Sequence, residues 1–193
     1  MSLTRRAVLN SWLAAPLVLS GIDRAGGQER NLPLTPSCGD ASPTISQTEG
    51  PFYSPRTPRK QDFRSDGAGQ PITVFGFVVD QGCRPLENVL IDLWHADGDG
   101  EYDNRGYRFR GHQISDASGR FIFDTIAPGL YPGRTRHYHV KLEAGGAEIL
   151  TTQLYFPDEA GNARDGIFDA RLNMEISPAA DGLLARYDFV VRA

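Results

Sequence analysis

The sequence predicts an all-β fold, specifically a β-sandwich, and three observations carry that expectation. Short runs of β-branched and aromatic residues recur along the chain, such as Ile72-Thr73-Val74-Phe75-Gly76-Phe77-Val78-Val79. Turn signals separate these runs at close intervals, in keeping with 21 Gly and 13 Pro. The 193 residues, less a leader, suit a single domain with a hydrophobic core of its own.

Three regions follow in order. Residues 1–27 read as an export signal. Thr4-Arg5-Arg6-Ala7-Val8-Leu9 precedes a moderately apolar segment from Ser11 to Leu19 that ends in small residues. The Arg pair, with Thr before it and Val8-Leu9 after it, fits the twin-arginine class, so the expected location is periplasmic or secreted. Residues 28–68 are rich in Pro, Ser, Thr and Gly and read as an extended arm. Within the arm, Thr48-Glu49-Gly50-Pro51-Phe52-Tyr53 sets aromatic residues beside Gly-Pro, as a docking segment would. Residues 69–193 are the expected sandwich domain.

Inside that domain the pattern predicts strands at Ile72–Val79, Val89–Trp94, Tyr107–Ile114, Arg120–Asp124, His137–Leu142, Glu148–Tyr155 and Arg186–Val191. Asp80–Pro85, Asp116–Gly119 and Pro128-Gly129 are turns between them, and Ala96–Gly106 is a loop rich in Asp, Gly and Asn. A short helix is expected over Pro178–Leu184. A net charge of −4 argues against nucleic acid and against an anionic membrane surface as partners. Cys38 and Cys83, in a chain expected to face an oxidising compartment, predict one disulfide tying the arm to the first strand pair. The alternative is two small buried thiols.

The chemistry concentrates in Tyr131-Pro132-Gly133-Arg134-Thr135-Arg136-His137-Tyr138-His139. Side chains two apart on a strand share a face, so His137 and His139 can both reach one metal ion. The Pro-Gly turn can bring Tyr131 back toward the same point. Taken alone, the spacing also fits a pair of exposed or hydrogen-bonded histidines.

A wider set of motifs resembles the intradiol ring-cleavage dioxygenases, the family of the catechol 1,2- and protocatechuate 3,4-dioxygenases. It comprises Trp94-His95-Ala96-Asp97, Gly100-Glu101-Tyr102, Pro128-Gly129-Leu130-Tyr131, Gly133-Arg134-Thr135 and His137-Tyr138-His139. Thr48 to Tyr53 and Gln153-Leu154-Tyr155-Phe156 extend it. The resemblance implies a non-haem ferric ion held by Tyr102, Tyr131, His137 and His139. By the same analogy Tyr131 and His139 are axial, with Tyr102, His137 and a hydroxide equatorial. Phenolates are hard anionic donors suited to Fe(III), and two of them with one hydroxide balance its charge.

Arg134 matches the family arginine that lies over the substrate ring, a task suited to a permanent planar cation. Gln153 matches a polar residue near the substrate, and Pro51 and Phe52 are expected to line the pocket. Tyr107 competes with Tyr102, Arg136 with Arg134, and His95 and His112 are further nearby imidazoles expected to be structural. The implied reaction opens the ring of a catechol-type diol with both atoms of O2 and yields a muconate-type diacid. Tyr131 and hydroxide would take the two diol protons. The chain departs from the dimeric catechol enzymes in lacking their helical N-terminal segment, and its link from Tyr131 to His137 is shorter than in the protocatechuate enzymes. A rival from another class is a non-catalytic module of the transthyretin or carboxypeptidase-regulatory kind. A second rival keeps the site but fills it with zinc or copper.

Overall fold

The computed structural model describes residues 32–192; the expected export signal lies outside the described residues. Nine strands form two sheets. β1 (Pro71–Asp80), β4 (Arg120–Ile126), β7 (Glu175–Ala179), β8 (Gly182–Arg186) and β9 (Phe189–Val191) make the first. Its order is β4-β1-β8-β7, with β9 also pairing β1. The second has the order β3-β2-β5-β6, built from β2 (Leu90–Trp94), β3 (Arg110–Ile114), β5 (His137–Ala144) and β6 (Ala147–Tyr155).

Period-two alternation explains why these sheets stack. Ile72, Val74 and Val78 of β1 join Ile91, Leu93, Tyr138, Val140, Leu142, Leu150 and Leu154 of the second sheet in one buried cluster. Tyr138 spans the two layers by donating its hydroxyl to the Ile126 carbonyl at 2.9 Å. On the other face of β1, Phe77 and Val79 pack with Val190, and Cys38 lies against them. Cys38 is bonded to Cys83 in the turn after β1, with 5.8 Å between Cα atoms, so this end of the arm is tethered to the first sheet.

From that tether the arm crosses the second sheet on its outer face. It passes β9 through the Thr44 N–H to Val190 carbonyl bond at 2.8 Å. The Gln47 N–H then donates to Thr151 of β6, and Glu49 pairs with Lys141 of β5 at 2.6 Å. Thr57 donates to Asp92 of β2 at 2.9 Å, and the Lys60 N–H reaches the His112 carbonyl of β3 at 3.1 Å. The arm thus lies across all four strands as a polar strap, which satisfies main-chain groups and closes the face that the sandwich core does not use.

Three elements differ from the sequence expectation. Pro178–Leu184 is not a helix. It is the hairpin of β7 and β8, closed by a two-residue turn at 180–181. A seven-residue segment holding Pro and Gly gains more from strand pairing than from one isolated helical turn, and β8 bonds in parallel to β1 from Ile72 to Phe75. The last expected strand, Arg186–Val191, is split. Tyr187 and Asp188 leave the ladder, with the Tyr187 N–H on the Phe75 carbonyl and the Asp188 carboxylate on the Phe77 N–H. The strand expected from Tyr107 begins at Arg110, because Phe109 has a left-handed φ of 51° and its N–H is taken by Asp66.

The split in the last strand makes one glycine indispensable. A Cβ at Gly76 would collide with the Tyr187 carbonyl, so Gly76→Ala is expected to destabilise the fold by about 2–3 kcal/mol or more in urea unfolding. A change below about 0.5 kcal/mol would contradict this packing. A second expectation concerns Asp92, which is buried under the arm. Burial pushes its carboxyl up from 3.8 to about 7, while the Thr57 hydrogen bond works in the opposite sense. The native state therefore holds the extra proton between these values, and this group's contribution to stability falls as pH rises through that window. Asp92→Asn should raise the unfolding temperature by several degrees at pH 8 and by almost nothing at pH 4. A gain of the same size at both would refute the assignment.

Candidate metal centre

β5 projects His137 and His139 to the outer face of the second sheet, the side opposite Tyr138 and Val140. Their Nε2 atoms stand 3.1 Å apart. The Tyr102 hydroxyl closes a triangle with them, at 3.1 Å from His139 Nε2 and 3.3 Å from His137 Nε2. Donors bound at right angles to one ion about 2.1 Å away would be about 3.0 Å from each other, so these three atoms are spaced as ligands of one metal. Among the described residues, no group of three or more His, Cys, Asp or Glu side chains is placed to hold a metal ion. The donor that stands beside the two imidazoles is the Tyr102 hydroxyl; as a ligand, a phenol oxygen would suit a hard, highly charged ion better than a soft one.

The imidazoles are prepared for this task. His137 Nδ1 donates to the Thr135 carbonyl at 2.6 Å, which leaves the Nε2 lone pair toward the triangle. Burial, reinforced by the Arg134 charge, pushes the His137 pKa down to about 4 despite that hydrogen bond. Burial also holds His139 well below its ordinary value, followed by the charges of His137, Arg134 and Arg110. Both rings are accordingly neutral at pH 7. His139 is further fixed by Trp94, its cross-strand neighbour, stacked at 5.0 Å with 9° between planes. Burial raises the Tyr102 pKa, with Arg134 and Arg110 opposing it. In the protein alone Tyr102 is therefore a neutral phenol.

Local turn chemistry brings the two tyrosines together. The Asp97 side chain accepts from the Asp99 and Glu101 N–H groups and shapes the loop before Tyr102. Gly100, at a φ of 89°, has no side chain to strike the Leu130 carbonyl, and the Gly129 N–H bonds to Asp97 at 2.7 Å. These contacts leave the Tyr131 ring edge-on to Tyr102, with 5.9 Å between centroids. Phe52 stacks on Tyr102 at 4.4 Å and meets Tyr131 edge-on at 5.3 Å. Pro51 is exposed beside them, and Gly50 packs against His139, whose Cε1 would be 3.3 Å from a Cβ there.

Arg134 is held from three directions. Its Nε donates to Asp165 at 2.8 Å, and one terminal nitrogen donates to Gln153 Oε1 at 2.6 Å and to the Tyr155 hydroxyl at 3.3 Å. Burial tends to raise the Asp165 pKa. Hydrogen bonds from the Thr135 and Ile167 N–H groups and from Arg134 outweigh it, so the net shift is downward and Asp165 is ionised. Gln153 donates to the Thr48 carbonyl, and Tyr155 donates to Gln47 at 2.7 Å, so the arm supports this network too. His95, by contrast, is bonded to the Ala96 carbonyl and Thr125. His112 is on Thr57, Tyr107 donates to the Pro55 carbonyl, and Arg136 is bonded to Glu159 and Pro128.

Asp165 and Arg110, which sequence reasoning does not name, also stand at this site, and Trp94 and Tyr155, named only within motifs, touch His139 and Arg134. Tyr155 had a usable signal, since it follows Gln153 by two and shares its face. Asp165 had none, because it comes from a loop with no pattern.

A family profile described as dioxygenase matches residues 48–193. The chain is 30% identical over 154 residues to the protocatechuate 3,4-dioxygenase beta chain of Burkholderia cepacia, covering 64% of this chain and 65% of that one. It is 29% identical over 158 residues to hydroxyquinol 1,2-dioxygenase of Nocardioides simplex, with 69% and 53% covered. It thus spans about half to two thirds of the length of these curated relatives. Among solved structures it resembles the dioxygenase domain of a dioxygenase and carbohydrate-binding protein fusion from the cellulolytic bacterium Streptomyces sp. SirexAA-E. The TM-score is 0.76 at 48% identity, over 79% of this chain and 99% of that one. With a matching fold, a profile that covers most of its length and a triangle of two β5 histidines with Tyr102, the chain belongs to the intradiol ring-cleavage dioxygenase family.

Proposed function

We propose that the protein is a non-haem ferric intradiol dioxygenase that cleaves catechol-type aromatics with O2 to give muconate-type diacids. The observation that carries this reading is the triangle of Tyr102, His137 and His139 with Tyr131 and the clamped Arg134 beside it. Tyr102, His137, His139 and Tyr131 would hold the ion. When bound, Fe(III) would supply Lewis acidity, drawing charge from a chelated diol and keeping buried phenols ionised.

The chain's own residues supply the rest. Phe52, Tyr102 and Tyr131 form aromatic walls that receive a flat ring. Tyr131 is half-buried and so open to solvent on one side; once the ion held it as a phenolate, its oxygen would be the group placed to take a diol proton. Arg134 cannot pivot freely, because Asp165 holds its Nε and Gln153 holds a terminal nitrogen of the same guanidinium. It therefore presents a preorganised cation to charge that develops on the ring. Trp94 and the Thr135 carbonyl keep the imidazoles aimed during turnover.

Export by the twin-arginine route belongs to the same proposal. The signal-like residues 1–27 and the bond between Cys38 and Cys83 support it. A fusion to a carbohydrate-binding protein in the Streptomyces relative supports an aromatic substrate from plant cell walls. A transthyretin-like binding module has no use for three metal-spaced donors beside a part-buried, ion-paired arginine, so that alternative is not favoured.

Aerobically purified protein should be reddish, from tyrosinate-to-Fe(III) charge transfer, and should take up oxygen with catechol, protocatechuate or hydroxyquinol. Colourless protein that stays inactive after iron loading would overturn the proposal. His137→Ala should lose iron and colour together. Arg134→Ala should keep the colour and lose about 10²–10³ in kcat, the cost of one preorganised donor. If Arg134→Ala bleached the protein, the division between ligand and charge-stabilising roles would be wrong.

A further inference from the structure

Arg110 is the largest charged side chain in the interior, and none of its surface is exposed. It lies on β3 directly across from Trp94, which lies across from His139, so all three stand in one row of the sheet. Its Nε donates to the carbonyl of Asp103, the residue after Tyr102, at 2.9 Å. Its Nη1 donates to the carbonyl of Phe52, in the arm. Phe52 is the residue whose ring lies flat on Tyr102. One guanidinium therefore joins the two segments that hold the Tyr102 ring between them. Its planar fork suits the task, because donors fixed in one plane set the relative position of two carbonyls more rigidly than the rotatable ammonium of a lysine would.

This arrangement carries a high cost. Burial lowers the Arg110 pKa, and its Nη2 is buried without a hydrogen-bond partner. A methionine or leucine would fill the space with no such penalty, so packing alone does not account for an arginine here.

We propose that Arg110 is a positioning residue for Tyr102: by bonding the Phe52 and Asp103 carbonyls it locks the Phe52–Tyr102 stack and so fixes the phenol oxygen 3.1–3.3 Å from the two imidazoles. The inference rests on the reading of Tyr102 as a metal ligand. The arm is then part of the centre itself, and the centre is assembled from residues on both sides of this one clamp.

The test uses full-length wild type, Arg110→Met, Arg110→Lys and Phe52→Ala, each loaded with ferric iron. It reads the position of the visible charge-transfer band and the rate of iron loss to a competing chelator. Arg110→Met should displace the band and speed iron loss at least about tenfold, about 1.4 kcal/mol off the barrier to release. Arg110→Lys should fall between Arg110→Met and wild type. Phe52→Ala leaves the buried charge in place and so covers the case in which Arg110→Met fails to fold; it should displace the band in the same direction. A purely structural role would lower the unfolding temperature and leave the band of the folded fraction where wild type has it. Bands at the wild-type position and iron-loss rates within about twofold of wild type in Arg110→Lys and Phe52→Ala would overturn the inference while leaving the proposed function intact. Wild type that takes up no iron and shows no band would remove both.

Discussion

The structure depends on one constraint: successive side chains of a strand must face opposite ways. β5 satisfies two demands at once. Tyr138, Val140 and Leu142 enter the core between the sheets, while His137, His139 and Lys141 stand on the outer face. Neighbouring strands repeat the division, so that one row presents Arg110, Trp94, His139 and Gln153 in register. The chemistry is built on a rigid sheet whose other face is packed, and side chains on such an element are held more precisely than side chains on loops.

A face of this kind cannot be left open to water if its polar groups are to be fixed and its imidazoles neutral. The arm solves that problem. It has almost no regular secondary structure of its own among the described residues, only a single 3-10 turn at Arg64–Asp66. Its order comes from the sheet, through Thr48 on Gln153, Gln47 on Tyr155, Phe52 on Tyr102 and Thr57 on Asp92. The dependence is mutual, because Gln153 and Tyr155 keep Arg134 in place only while the arm keeps them.

The fold was legible to the extent that hydrophobic alternation and turn chemistry are local. Most strands lie where their β-branched runs predict, because those runs have faces that only a sandwich can bury. Pro178–Leu184, inside the hairpin at 175–186, reads locally as a short helix, since its strand identity comes from pairing with β1, more than 100 residues earlier in the chain. The break at Tyr187-Asp188 was also hidden, because it answers to Gly76 on another strand. In the candidate centre, spacing alone places His137 and His139 on one face of a strand but leaves open whether they are ligands or merely hydrogen-bonded. Tyr102, Arg134 and Gln153 needed the resemblance of whole motifs, and the structure brings all three to the same face.

By itself the sequence determined the strand content, the two-residue spacing of the histidines and the family motifs, all of which are properties of neighbouring residues. Tertiary structure alone decided that Asp165 would hold Arg134, that Arg110 would join Phe52 to Asp103, and that Gln47 and Thr48 of the arm would hold Tyr155 and Gln153. These are contacts between residues 31, 58 and more than 100 positions apart. No local preference encodes such pairs, because they become favourable only after the sheets have packed and removed the water that would otherwise satisfy the same groups.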